Sequence, residues 1–236
     1  MTNNETNKIK TYRINAAVAG VLYIIGTVAG VLSLVVTKDL FAGEDFLIRI
    51  FANPILLNLG AFFILIMGLS LAAMPIFLYP LFRKKSEAMA LGMVIFRGPI
   101  EASGYFLSVV NWLLLVLVSK EFAAAGSEAA SLQAIGNVML QFGDRVGPAL
   151  SFVFIIGAMF IYILFYLTKL IPRWISVWGM IGSVLYIAYY FMKFFDFSLN
   201  LGFLVLPLAI QEMIMGLWLV IKGFNKTAVE ELITDK

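Results

Sequence analysis

Arg97 and Glu101 lie four residues apart inside the otherwise uncharged run 88–119, and Glu212 lies in the middle of the apolar run 201–221. Residues four apart share one helix face, so a guanidinium and a carboxylate at this spacing can pair. The order, base before acid, is the weaker one on an isolated helix. Charge near the centre of a bilayer costs about 3 kcal/mol or more and is kept for pairing or for function. An arginine bridging Glu101 and Glu212 leaves two carboxylates on one guanidinium, a net negative site unless one glutamate carries a proton. A protonatable carboxylate at mid-bilayer is what proton-coupled transport requires. The same trio can serve as structural glue between helices with no ligand at all. On the sequence both readings stand.

Gly98 and Pro99 separate the pair. Pro99 removes one backbone hydrogen bond and frees the carbonyl of Ile95, which predicts a kink beside the two charges. Tyr105, Asn111 and Gln211 complete the candidate ligand or proton site, and Asn58 and Tyr186 are further candidates for the same cavity. Each of these alone is more often an interhelical hydrogen bond worth about 1 kcal/mol or less. Counting helical rise, Arg97 lies about 13 Å and Glu101 about 20 Å from Ala88, and Glu212 lies about 13 Å from Ile221. Matching depths predict that the third and sixth spans are neighbours. Pro207 is expected to loosen the sixth as Pro99 loosens the third.

Composition narrows the chemistry. The 236 residues are 62% hydrophobic and 13% charged, with a mean hydropathy of +0.97; a soluble domain carries about 25% charged residues. Too little polar surface exists to cover a fold in water, so the solvent is largely lipid. Cysteine and histidine are both absent, which excludes disulfides, thiolate nucleophiles, zinc–cysteine sites, bis-imidazole haem and Ser–His–Asp catalysis. No catalytic set, metal cluster or cofactor motif is legible, and none is assigned. The net charge of +3 reflects membrane topology and does not point to nucleic acid. The expected partners are the lipid bilayer and a small amphipathic ligand, with any protein partner left open.

A bilayer core of about 30 Å needs about 20 helical residues. Six apolar segments meet this, near 14–36, 55–82, 88–119, 146–167, 174–192 and 201–221. Their continuity excludes the short alternating strands of a barrel. The prediction is an all-α polytopic membrane protein, a bundle of six transmembrane helices forming a single domain over 1–236. The first helix resembles a signal peptide but is too long and lacks a small-residue cleavage site, so it is read as retained.

Lys and Arg assign the sides. Lys8, Lys10, Arg13, Arg83, Lys84, Lys85, Lys169, Arg173, Lys222, Lys226 and Lys236 fall on one side, against Lys38, Arg49, Lys120, Arg145 and Lys193 on the other. Both termini are therefore expected in the cytoplasm. Short connections at 83–87 and 168–173 predict hairpins of spans two with three and four with five, with Pro172 at or just before the start of the fifth. In the longer outer connection, 120–145, Leu132, Ile135, Met139 and Phe142 follow helical spacing, which predicts a short amphipathic helix on the outer interface. Asp144 is expected near the N-terminal dipole of the fourth span. Trp174 and Trp178 read as interface anchors, and Gly26 with Gly30 as a close-packing GxxxG.

Several strings carry a family likeness: Tyr79-Pro80-Leu81-Phe82-Arg83-Lys84, Ser86-Glu87-Ala88 through Phe96-Arg97, Leu170-Ile171-Pro172-Arg173-Trp174 through Trp178-Gly179, and Gln211-Glu212 through Lys222-Gly223-Phe224. With Ala19-Gly20-Val21-Leu22-Tyr23 and Gly26-Thr27 they make the chain resemble, over nearly its whole length, the bacterial membrane family catalogued as domain of unknown function 4386. The resemblance implies a multi-pass protein of the bacterial cytoplasmic (inner) membrane and brings no activity with it. Three functions compete. Binding or proton-coupled transport of a small amphipathic molecule at the Arg/Glu site leads. A non-catalytic structural or regulatory role follows. A lipid- or isoprenoid-modifying enzyme is third, since no Asp-rich cluster exists and Arg97 would repel a metal.

Overall fold

The computed structural model describes residues 3–125, 129–197 and 200–234, and these are almost entirely helical, with no strand among them. In chain order the helices are α1 (Asn3–Thr37), α2 (Phe46–Ala52), α3 (Pro54–Lys85), α4 (Glu87–Ile95), a π-helical turn (Phe96–Ile100), α5 (Glu101–Ala124), α6 (Ala129–Thr168), α7 (Arg173–Phe194), a 3-10 turn (Gly202–Val205), α8 (Leu206–Ile221) and α9 (Lys226–Thr234). Among the described residues six stretches are long and apolar enough to cross a membrane: Ile9–Thr37, Pro54–Lys85, Glu87–Ala124, Ala129–Thr168, Arg173–Phe194 and Gly202–Ile221. This is a multi-pass membrane protein.

The spans form a ring in chain order. α1 packs on α3, α3 on α5, α5 on α6, α6 on α7 and α7 on α8, and α8 closes back onto α1. Short connections impose this order: Ser86 alone separates α3 from α4, and its hydroxyl caps α4 by accepting from the Met89 N–H at 3.4 Å. Pro172 is the N-cap of α7, where a missing N–H costs nothing. The closing contact depends on small residues, because a Cβ on Gly20 would sit 2.6 Å from the Gly216 carbonyl of α8. Gly26 and Gly30 likewise receive Leu71 and Met67 of α3, the close packing read from the GxxxG.

One end of the ring is basic and its interior is densely packed. Arg13 donates to the carbonyls of Leu219, Val220 and Ile221, satisfying the orphan acceptors at the C-terminus of α8. The Asn225 N–H donates to the Leu170 carbonyl at 2.8 Å, pinning the turn after α8 to the α6–α7 connection. Met74, Leu78, Phe82, Ala90, Met93, Ile161, Phe165, Met215 and Leu219 fill this half as a fully buried core. Trp174 and Trp178 stack at the same end with ring centroids 6.2 Å apart, and Trp174 is exposed. Lys236 lies outside the described residues.

At the opposite end the structure departs from expectation. The stretch 120–145 is not a loop with a separate interfacial helix: α5 runs to Ala124, and α6 is one unbroken helix of 40 residues, about 60 Å long. Part of its apolar face packs on protein through Met139, while Ile135 stays exposed. Leu47 of α2 packs on Gly136, and Asn111 of α5 donates to the Met139 carbonyl at 3.0 Å. Asp144 consequently sits mid-helix, away from any N-terminal dipole, and its neighbour Arg145 pairs with Asp196 in an exposed salt bridge. Pro207 also behaves differently from Pro99. It falls in the first turn of α8, after the 3-10 turn, where no helical hydrogen bond is lost.

Candidate functional site

The kink predicted at Pro99 is present. Gly98 adopts φ −90° and ψ −106°, outside helical values, and the Glu101 N–H reaches back to the carbonyls of Phe96 and Gly98. A π-helical turn of this kind re-aims the side chains that flank it, and such turns concentrate at functional sites. Here the turn carries Arg97 into the ring, where it is 1% exposed, against Glu101 at 0%. Arg97 Nη1 donates to both carboxylate oxygens of Glu101, at 3.0 and 2.9 Å. The Tyr105 hydroxyl donates to Glu101 Oε1 at 2.9 Å.

Space for the guanidinium comes from α6. A Cβ on Gly157 would lie 2.6 Å from Arg97 Cγ, so only glycine lets the arginine lie along that helix. The guanidinium carbon is 4.7 Å from the Phe154 ring centroid and 5.6 Å from that of Tyr23. Both rings present their π-faces to the cation, a contact that strengthens away from water. Arg97 Nε has no hydrogen-bond partner among the described residues.

Glu212 does not touch Arg97 directly, and the two spans are not packed neighbours. α8 packs on α1 and α7, whereas the third span packs on α3 and α6. The direct bridge expected between Arg97 and Glu212 is replaced by Tyr23 of α1. Arg97 Nη2 donates to the Tyr23 hydroxyl at 3.4 Å, and that hydroxyl donates to Glu212 Oε1 at 2.6 Å. Tyr162 of α6 approaches the same oxygen at 3.5 Å, its ring seated on Gly179 of α7. Matching depth was real, but depth carries no information on azimuth, and in a ring the facing spans meet through long side chains.

Above this network lies a cavity of about 470 Å³ lined by all six spans. Arg97 and Glu212 form its floor, and it extends through Leu71, Tyr105, Leu150, Ser151, Phe154, Tyr186 and Leu208 toward Leu34, Trp112, Gly147 and Val205 at the end opposite the basic one. Its volume falls in the range of about 300–1,000 Å³ usual for small-molecule sites, as does its mix of apolar walls and few convergent polar groups. Arg97 and Glu212 are the only charged side chains on its lining among the described residues. Glu212 is half-buried, and its Oε2 takes no hydrogen bond among the described residues.

The remaining candidates sort plainly. Tyr105 and Tyr186 line the cavity. Gln211, fully buried, points to α7 and donates to the Ile175 carbonyl at 3.0 Å. Asn111 ties α5 to α6, and Asn58 is exposed. None of these three reaches the cavity. Tyr23, Tyr162, Phe154 and Gly157 carry no signal of a site in the sequence; within long apolar runs a tyrosine, phenylalanine or glycine is indistinguishable from core. No group of three or more Asp or Glu side chains placed to hold a metal ion occurs among the described residues. No curated protein and no solved structure matches the chain. A family model described as a domain of unknown function (DUF4386) matches residues 18–223, a stretch that contains Tyr23, Arg97, Glu101, Tyr162 and Glu212, and the chain belongs to that family.

Proposed function

We propose that the protein binds a small amphipathic molecule in the six-span cavity and carries it across the bacterial cytoplasmic membrane in a proton-coupled manner. The observation that carries the reading is the cavity itself: every span contributes to it, and two of the three intramembrane charges line its floor. Apolar walls from Leu71, Leu150, Phe154 and Leu208 suit the ligand's hydrocarbon, while the floor suits one polar group. The packed basic half, which by the distribution of Lys and Arg faces the cytoplasm, keeps this state closed on that side.

The three charges divide between two roles. Arg97, on the cavity floor, and Glu101, behind it, satisfy one another as a buried pair that ties the kink. Glu212 is the end of the network that a ligand can reach. Because the chain has no cysteine, single cysteines report access directly. Ser151→Cys and Ser108→Cys, both on the cavity lining, are expected to react with a water-soluble thiol reagent added from the periplasmic side. Ser176→Cys, buried near the basic end, is expected to stay unreacted. A cavity that excludes the reagent at both serines ends this proposal. Reconstituted vesicles supply the transport arm, in which a pH gradient drives uptake of the bound molecule and Glu212→Gln abolishes it.

A further inference from the structure

Building on that reading of the cavity, we infer that the ligand carries a single positive charge, an amphipathic amine or ammonium held at Glu212, and that it competes there with one proton. The charges of the network do not balance. The network holds one guanidinium and two carboxylates, and Arg97 is already matched by the two-oxygen contact with Glu101. Glu212 is the unmatched charge. Its protein contacts are hydroxyls of Tyr23 and Tyr162, which stabilise a carboxylate without neutralising it. An uncompensated carboxylate at mid-bilayer is costly, and the site relieves that cost by taking up a proton or a cation, one at a time.

An anionic ligand fits poorly. Arg97 is 1% exposed, covered by Phe154 and Tyr23, and its charge is already matched by Glu101. A cation fits on two counts. Glu212 keeps an oxygen with no hydrogen-bond partner among the described residues, and Tyr186, Tyr190, Trp112 and Tyr105 line the cavity with aromatic rings, the kind of surroundings that bind alkylammonium groups. The groups facing Glu212 from the packed elements are Tyr23 on α1, Tyr162 on α6 and Tyr186 on α7, with Arg97 and Glu101 beyond Tyr23. Glu212 is the group among these whose proton a cation in the cavity can replace. Binding therefore releases the proton that Glu212 carried, and acidification expels the cation.

The test uses the purified full chain in detergent and three matched probes: benzyltrimethylammonium, benzyl alcohol and benzenesulfonate. Benzyltrimethylammonium is expected to raise the unfolding temperature and to quench tryptophan fluorescence, the quenching lost in Trp112→Phe. Affinity is expected to fall as pH falls, by up to about tenfold per unit, the slope of one-proton competition. In weakly buffered solution at the acid end of the range, binding should release protons, up to one per cation. Glu212→Gln should weaken binding by roughly tenfold to a hundredfold, the value of one interaction with a charged group, and remove the pH dependence. Should that variant not fold, proton release from the wild type decides alone. Equal binding of all three probes, or cation binding with no proton release and no pH dependence, overturns the cation assignment and leaves the cavity reading intact. No binding by any probe overturns both.

Discussion

The Tyr23 hydroxyl donates to Glu212 Oε1 at 2.6 Å while accepting from Arg97 Nη2 at 3.4 Å, so one phenol couples two spans that do not otherwise pack together. Tyr23→Phe keeps the ring and removes both bonds. A hydrogen bond to a charged group contributes about 1.5–3 kcal/mol, and the variant is expected to lose stability in that range. Tyr162→Phe, whose bond to the same oxygen is 3.5 Å long, is expected to lose less than about 1 kcal/mol. Denaturant unfolding of the two variants in detergent checks this, and equal losses would remove Tyr23 from its bridging role.

The Arg97–Glu101 pair should behave as a unit. Breaking a buried pair by removing one partner costs about 3–5 kcal/mol, while replacing both with apolar residues costs far less. Arg97→Met and Glu101→Leu are each expected to be severely destabilised, and the double variant to recover much of the loss. Costs that simply add in the double-mutant cycle would mean that the two residues do not depend on one another.

How far the sequence revealed the site depends on the kind of signal. Arg97, Glu101 and Glu212 stood out because charge inside an apolar run is conspicuous at any resolution, and Pro99 announced the kink because its missing N–H acts locally. Hydropathy located all six spans for the same reason. Tyr23 and Tyr162 were hidden because a phenol is equally at home in a core, and only the ring order brings their hydroxyls to Glu212. Asn111 and Gln211 were misassigned because a polar residue in a span announces a hydrogen bond but not its direction. The amphipathic stretch at 132–142 is helical as its spacing indicates but not separate, because it continues without a break into the fourth span.

Glycine substitutions along α6 should split by what faces them. Gly157→Ala places a Cβ 2.6 Å from Arg97 Cγ, and overpacking of this kind costs about 1–3 kcal/mol. Gly143, on the same helix, has nothing within 4 Å, so Gly143→Ala is expected to be neutral or to stabilise by up to about 1 kcal/mol through helix propensity. Gly157→Ala should also disturb the Arg97–Glu101 pair, which makes it non-additive with Glu101→Leu. Equal effects of the two alanines on the unfolding midpoint would show that Gly157 does not shape the arginine's seat.

Gln211 and Glu212 are adjacent in sequence and separate in role, and this is open to a direct check. Successive residues on a helix point about 100° apart, which sends Gln211 to the Ile175 carbonyl of α7 and Glu212 to the cavity. Gln211→Leu loses one interhelical hydrogen bond, worth about 0.6 kcal/mol on average in a membrane. It also removes a buried amide oxygen that has no partner among the described residues, so its net effect on stability is expected to be within about 1 kcal/mol. Cysteine labelling at position 151 and the affinity for benzyltrimethylammonium are expected to be unchanged in this variant. Asn111→Ala should behave in the same way, loosening only the contact of α5 with the outer part of α6. A loss of cation affinity in Gln211→Leu comparable to that in Glu212→Gln would mean that the sixth span rotates during the binding cycle, bringing Gln211 into the cavity in a second state.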